Sequence, residues 1–508
     1  MRNAKCGVRS ARSRPVRVTA LLLALLAPSL LHAQILPSQA AYDRAYEARR
    51  DSLVRALTDA ALQKAQRIRT AAQDTTRPAN VMSTPALRLD LMEAALLVAG
   101  GRDVEMGNQA LRNEAITPFR GGMFYIHDIM AAYLHARARL TPETVAAIRE
   151  SLRSRPIYRG DTENHFVLYY TGLYLAAQTW PGEPETAWFN GRSSDENLRE
   201  AREYLDHWMD VTTTIGQGEF DSPTYIIVFL APMFTLYTHA TDPVLKEKAR
   251  KMLDWLLADY AVDYLKGLYT GGHSRDYTYD AAKPEGAPSV GWGWLLFGQT
   301  RPVYRSDNLT AVWSPYRLPV VIHNVAADRS VPYEQQERKR VRNVIRYGDH
   351  MNPPVYKQLY MTADYGLGSI QGGILQPIQQ HTWDVTFDDP DTASTVFTLH
   401  PYYEAKELAM FFPEELEWLS NEVDRYHRVY TDPNKWNSSS PYERVFQHRN
   451  ALVVLYDIPV TATHPHVDGF FPKTLRRREE DASGWIFAQG GRSYIAVRPL
   501  RPYDWIEE

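Results

Sequence analysis

Three short stretches crowd together side chains that can move protons or hold anions. The first is Glu163–Asn164–His165, immediately before the apolar aromatic run Phe166–Tyr170. An amide and an imidazole at the mouth of a helix can neutralise and polarise an acidic group; the same residues also suit plain N-terminal capping. The second is Gly218–Glu219–Phe220–Asp221–Ser222–Pro223–Thr224–Tyr225. Ser222–Pro223 reads as a helix start with Tyr225 in its first turn. A phenol, ordinarily titrating near pKa ~10, acts as a base only beside a cation. The third is Thr270–Gly271–Gly272–His273–Ser274–Arg275–Asp276–Tyr277–Thr278–Tyr279. Two glycines permit a tight backbone, Arg275 offers a planar fork for a carboxylate, and His273, Tyr277 and Tyr279 offer proton transfer. Packing alone explains this stretch least well.

Later in the chain Tyr360, Asp364–Tyr365 and Gln379–Gln380–His381–Thr382–Trp383–Asp384 are placed to close a cleft from another side, although burial of His381 for purely structural reasons is an equal reading. His464 and His466, one residue apart, are a weak metal signal. HExxH, GxSxG and a glycine-rich dinucleotide loop are all missing, which leaves zinc proteolysis, serine hydrolysis and Rossmann cofactor binding without support.

The elements that must position these residues change character along the chain. From about 40 to 340 the apolar spacing predicts helices: Tyr42–Ala71, Pro85–Ala99, Phe124–Leu140, Glu143–Leu152, His165–Gln178, Asn197–Thr214, Thr224–His239 and Pro243–Leu265. Many helices of similar length without intervening strands suggest hairpins set in a ring or superhelix, with a generic bundle as the alternative. Beyond Pro353 shorter β-rich runs take over: Ser369–Ile374, Thr382–Phe387, Thr395–Leu399, Ala451–Tyr456 and Ser493–Val497, with a helix expected around Pro401–His427. The fold class expected is therefore mainly α plus β: an incomplete (α/α) toroid over 34–345, then an antiparallel β-sandwich-like domain over 346–508.

Residues 1–33 read as a secretory signal peptide. Arg2, Lys5, Arg9, Arg12, Arg14 and Arg17 precede the apolar run Ala20–Leu31, and Ala33 stands at the cleavage point. Cleavage removes the only cysteine, Cys6, and takes the formal net charge from −3 to −9. An acidic, cysteine-free mature chain, periplasmic or secreted, argues against nucleic acid as a partner. No stretch reaches the length of apolar sequence that spans a bilayer. The 31 tyrosines and 12 tryptophans suit a carbohydrate cleft, where ring faces cover sugar C–H surfaces, and equally suit a large core.

On two of these stretches the chain resembles the heparinase II/III-like group of the α/α-toroid polysaccharide lyases. Glu163–Asn164–His165 before an aliphatic-aromatic helix looks like that group's Asn-His region, and Glu219 to Tyr225 looks like its acidic-Ser-X-X-Tyr element. The resemblance implies β-elimination at a uronate such as alginate or glucuronan. It implies Asn164 as carboxylate neutraliser, His165 as base or orienter, Tyr225 as catalytic tyrosine and His381 as the histidine supplied by the β domain. Arg275 and Tyr279 echo an arginine–tyrosine pair of related alginate lyases, and His273 joins them as a catalytic candidate. Glu163, Glu219, Tyr277, Tyr360, Tyr365 and Trp383 are the expected substrate contacts. This chemistry requires no cofactor; a structural divalent metal is left open. Ile226 follows the tyrosine where the group commonly has histidine, and the β-domain metal ligands of the group are not recognisable here. A toroidal glycoside hydrolase with paired carboxylates, hidden among Glu163, Glu219, Asp221 and Asp276, and a non-catalytic glycan-binding protein are the rival readings.

Overall fold

Apolar residues recurring every three to four positions produce thirteen α-helices among the described residues of this computed structural model. These residues are 36–73, 85–117, 122–160, 162–340, 354–372, 380–389, 394–402, 436 and 438–506. The helices are α1 (Gln39–Gln73), α2 (Leu91–Ala99), α3 (Val104–Ile116), α4 (Gly122–Ala136), α5 (Pro142–Ser154), α6 (Glu163–Thr179), α7 (Ser194–Ile215), α8 (Ile226–His239), α9 (Pro243–Asp263), α10 (Thr278–Ala282), α11 (Pro288–Leu296), α12 (Leu309–Trp313) and α13 (Val320–Ala327). Their starts carry the expected caps: Asp90 and Ser193 form capping boxes, while Thr141 and Asp242 cap helices that open on proline.

Helices alternate in character. α2, α4, α6 and α8 are apolar almost all round and buried, whereas α3, α5, α7 and α9 bury one stripe and present charge to solvent. The buried set packs in sequence, α2 on α4, α4 on α6, α6 on α8; α8 then meets α11, α11 meets α1, and α1 returns to α2. Tyr42 and Tyr46 fasten α1 into this circuit by donating to the carbonyls of Leu296 and Ala311, the former at 2.9 Å. One continuous core, running from Tyr42 to Ala326, results.

The strands are antiparallel. A two-stranded ribbon, β1 (Tyr264–Leu265) and β2 (Leu268–Tyr269), follows α9 directly. A six-stranded sheet is formed by β3 (Tyr333–Lys339), β4 (Val355–Met361), β5 (Tyr365–Gly372), β6 (Trp383–Phe387), β7 (Ser394–Leu399) and β10 (Asp468–Phe470), in the order β10-β7-β6-β5-β4-β3. The hairpin of β8 (Glu443–His448) and β9 (Ala451–Tyr456) lies against β5, and β11 (Arg477–Glu480), β12 (Ile486–Gly490) and β13 (Ser493–Val497) make a separate three-stranded sheet. β5 is buried on both faces. On one face its glycines admit another backbone: a Cβ at Gly368 would lie 2.7 Å from the Cα of Gly271. On the other, Gln447 of β8 donates to the Leu367 carbonyl and accepts from Ser369.

The helical region before the sheets and the antiparallel strands after it agree with the expected class. α3 and α10–α13 were not expected from the spacing, nor were β1–β4, β8 and β10–β12. The first strand of the large sheet starts at Tyr333, ahead of residue 346. The leader expected over 1–33, the boundary expected at 345/346 and nearly all of the helix expected over 401–427 lie outside the described residues, and Leu36–Glu508 forms one compact unit.

Candidate functional site

Two buried helices, α6 and α8, begin at the same place, and the three stretches singled out by their chemistry meet there. Glu219 sits in the connection before α8 and reaches across to α6. Its Oε2 accepts from the backbone N–H of Asn164 at 2.9 Å and from Asn164 Nδ2 at 2.6 Å, supplying the acceptor that the first turn of a helix lacks. Its Oε1 lies 3.4 Å from Arg275 Nε. Glu163 answers in the opposite direction, accepting from the backbone N–H of Glu219 at 2.7 Å, from Trp208 Nε1 at 2.9 Å and from Arg340. All these groups are buried.

Arg275 joins this base to the tyrosines. It is only 6% exposed, adopts a left-handed backbone with φ 52°, and its carbonyl is held by Ser222 Oγ at 2.9 Å. The guanidinium lies 4.5 Å from the centre of the Tyr225 ring, and Nη2 donates to the Tyr225 hydroxyl at 2.7 Å. That oxygen also shares a 2.6 Å hydrogen bond with Tyr277, whose ring stacks at 5.3 Å on Tyr279. Tyr279, 57% exposed, brings the row to the surface. Burial works against the charge on Arg275, but Glu219, Tyr225 and Tyr277 more than offset it, and the net shift holds the guanidinium protonated.

Asn164, Glu219, Arg275, Tyr225, Tyr277 and Tyr279 thus form one connected path. Tyr225 is the N-cap of α8, one position before its first turn, with its own N–H held by Ser222 Oγ at 3.0 Å. His165 donates its backbone N–H to Thr162 and sets its ring edge-on to Phe124. His273 and His381 lie behind it, their backbones paired by two hydrogen bonds of 2.9 Å and their rings 6.0 Å apart. His273 Nδ1 donates to the Asp221 carbonyl at 2.7 Å; burial, reinforced by Lys357, keeps this imidazole neutral. His381 Nε2 is 3.3 Å from Asp384 Oδ2. Trp383 is buried in the sheet core, and Tyr360 and Tyr365 pair with each other on β4 and β5. These three side chains belong to the sheet strands β6, β4 and β5 and are not members of the path traced above.

Beneath the site lies a charge cluster that the spacing did not reveal. Asp221, in a left-handed conformation at φ 50°, accepts from Lys339 Nζ at 3.1 Å, Lys357 Nζ at 2.9 Å and Tyr269 at 3.0 Å. Lys339 also meets Asp259 at 2.7 Å and Glu337 at 2.5 Å, and Lys357 meets Asp263 at 2.6 Å. Burial opposes the Asp221 carboxylate, but the two ammonium groups prevail and hold it below the ordinary range. Burial pushes Asp263 up to about 8 against the pull of Lys357, and Asp259 is raised as well. These two carboxyls therefore carry the protons near neutrality. Asp221, Asp259 and Glu337 place ligand oxygens within 4.8 Å of one another, a spacing that suits a metal ion. The Lys339 ammonium contacts all three and supplies the positive charge they require. Charged residues at i and i+2 of a polar strand, Glu337 and Lys339, are the one sequence signal that points to this inward face.

A scan against protein-family models and searches of curated proteins and solved structures find no match to the chain. Geometry and chemistry carry the functional argument.

Proposed function

We propose that the chain is an exported polysaccharide lyase that cleaves a uronate-containing glycan by β-elimination, with Tyr225 as its catalytic residue. The observation that carries the reading is the oxygen of Tyr225: Arg275 donates to it and covers its ring, and Tyr277 bonds it from another side. A phenolate formed there has two donors and an adjacent permanent charge, the surroundings a tyrosine base requires. In the proposed step the phenolate takes the C5 proton. The C5 electron pair becomes the C4=C5 double bond as the C4–O bond breaks, and the proton on Tyr225 passes to the leaving oxygen. Arg275 faces the charge that develops on the uronate carboxylate.

The remaining residues act mainly as supports. The Asn164 amide is engaged by Glu219 and Thr162, so Asn164 serves as a positioning residue through Glu219 instead of touching the substrate. His273 and His381 brace the loop that carries Arg275. Stacked Tyr277 and Tyr279 offer ring faces to the sugar. The chemistry uses no cofactor, and the Lys339 ammonium takes the place of a structural cation in the acidic triad. The closed circuit of buried helices supports an α/α toroid, with the antiparallel sheets as a sandwich-like second domain. The carboxylates needed for hydrolysis weigh against that rival: Glu163, Glu219, Asp221 and Asp276 are all buried, and the first three are tied to Arg340, Arg275 and the two lysines.

The purified mature chain, incubated with alginate, glucuronan, heparan sulfate, hyaluronan and ulvan, should produce an ultraviolet-absorbing unsaturated uronate from at least one of them. On that polymer Tyr225→Phe should lower kcat by roughly 10²–10⁴ while KM changes little. Unchanged turnover would remove Tyr225 from the reaction, and products with incorporated water and no unsaturation would favour hydrolysis.

A further inference from the structure

The three-stranded sheet near the end of the chain has one face anchored and one face open. Ile486 and Ala488 are buried beneath it, and Gly490 lies so close to Phe387 that a Cβ there would fall 2.3 Å from the ring. The chain's own tail covers the inward side of β11: Trp505 lies under the Arg478 guanidinium at 4.0 Å and against Phe471, and Tyr503 donates to Glu480 at 2.9 Å. Nothing comparable among the described residues covers the opposite face.

That open face has a definite composition. The register sets Arg477, Gln489 and Tyr494 in one row across the three strands, and Glu479, Phe487 and Ala496 in the next. Residues two apart share a face, so Trp485 continues the line of Phe487, with ring centres 6.4 Å apart at 29°. By the same alternation Arg492 and Arg498 flank Tyr494 and Ala496 along β13. Phe487 is 41% and Tyr494 66% exposed, and Arg498 lies 5.8 Å from the Trp485 ring centre. Three guanidiniums stand around the aromatic floor: Arg477 lies 3.3 Å from Glu479, Arg492 is paired with Asp364, and Arg498 faces the Trp485 ring. Residues 473–508 carry seven basic and six acidic side chains, in a chain whose formal charge is −3 overall.

We infer that this face is a second binding surface, separate from the tyrosine row, for an anionic glycan chain. Sugar rings would lie on Phe487, Trp485 and Tyr494, over the space left by Ala496. Their carboxylates would be received by Arg477 and Arg498, since guanidinium forks match carboxylates. The choice of glycan over other polyanions rests on the lyase reading; the existence of the surface does not. An acidic protein acting on an acidic polymer repels it over most of its surface, and guanidiniums set beside exposed rings give the polymer a point of attachment against that field.

Affinity electrophoresis of the mature chain through gels containing glucuronan tests the inference, with the neutral glucan dextran and duplex DNA as parallel gels. All proteins carry Tyr225→Phe, so that turnover does not consume the matrix. Retardation is expected in glucuronan alone. Phe487→Ala combined with Arg498→Ala should weaken it by at least about tenfold in Kd, with an unchanged melting temperature because both side chains are exposed. Arg477→Ala alone should give a smaller loss in the same direction. Equal retardation of parent and double variant overturns the inference, as does equal retardation in dextran or stronger retardation in DNA. Retardation that depends on these residues, in a protein whose Tyr225-containing form releases no unsaturated product, keeps the surface and removes the lyase reading.

Discussion

Arg275 combines several tasks in one side chain, and each depends on the planarity of its head group. Nε faces Glu219, Nη2 faces the Tyr225 oxygen, and the flat face covers the Tyr225 ring. A lysine retains the charge but has one point of attachment and no face to stack. Arg275→Lys should therefore lower kcat by about 10²-fold, the scale of a small misplacement at a reacting group, in steady-state assays on the active polymer, with a larger effect on kcat than on KM. Glu219→Gln probes the opposite end. It removes the charge that orients Arg275 and weakens the acceptor beneath Asn164, so it should depress kcat in the same direction while Tyr225 itself is untouched. If Glu219→Gln changes only the melting temperature, Glu219 is structural alone and has no positioning role.

At the scale of elements, the joint between α9 and the edge of the large sheet is made of charge instead of hydrocarbon. Lys357 and Lys339 project from β4 and β3 onto Asp221, Asp259 and Asp263. Breaking a buried pair leaves an uncompensated charge, so Lys357→Met should cost about 3–5 kcal/mol of stability, read by denaturant unfolding. Lys339→Ala vacates the space among Asp221, Asp259 and Glu337, whose spacing suits a cation. Calcium should raise the melting temperature of that variant and leave the parent's unchanged; a variant indifferent to calcium would mean that the lysine does not stand in for a cation. This joint also explains what was legible in the sequence and what was not. Helices such as α5 and α9 announced themselves because an apolar stripe and a cap coincide. β3 did not: at the sheet edge its Tyr-Glu-Gln-Gln-Glu-Arg-Lys run looks like solvent-facing chain, and besides pairing with Glu337 its inward Lys339 is satisfied by residues some 80 to 118 positions away. Tyr225, Arg275 and Asn164 stood out in the sequence by their chemistry, and the fold links them in one path. Glu219, the residue that joins them, was expected to meet substrate, and its connecting position emerges only once α6 and α8 start side by side.

For the whole molecule, buried carboxyls with raised pKa values set how stability responds to pH. Glu443, buried between β8 and the Thr382 segment, accepts from Thr382 at 2.9 Å and from Tyr456 at 3.1 Å. Burial nevertheless pushes it up to about 7, and Asp263 up to about 8. In an unfolded chain these groups titrate near ~4. The unfolded state therefore releases their protons first as pH rises, and deprotonation draws the equilibrium toward unfolding. Their contribution to stability is fully present below about pH 4, is lost progressively up to about 7 for Glu443 and 8 for Asp263, and changes no further above those values. Glu443→Gln, which resembles the protonated side chain in shape, removes one of the two. The stability of the parent relative to this variant, measured by urea unfolding at a series of pH values, should decline between about pH 4 and 7 and then level off. A difference that stays flat across that interval would show that Glu443 is ionised in the folded protein, and that the hydroxyls of Thr382 and Tyr456 outweigh its burial.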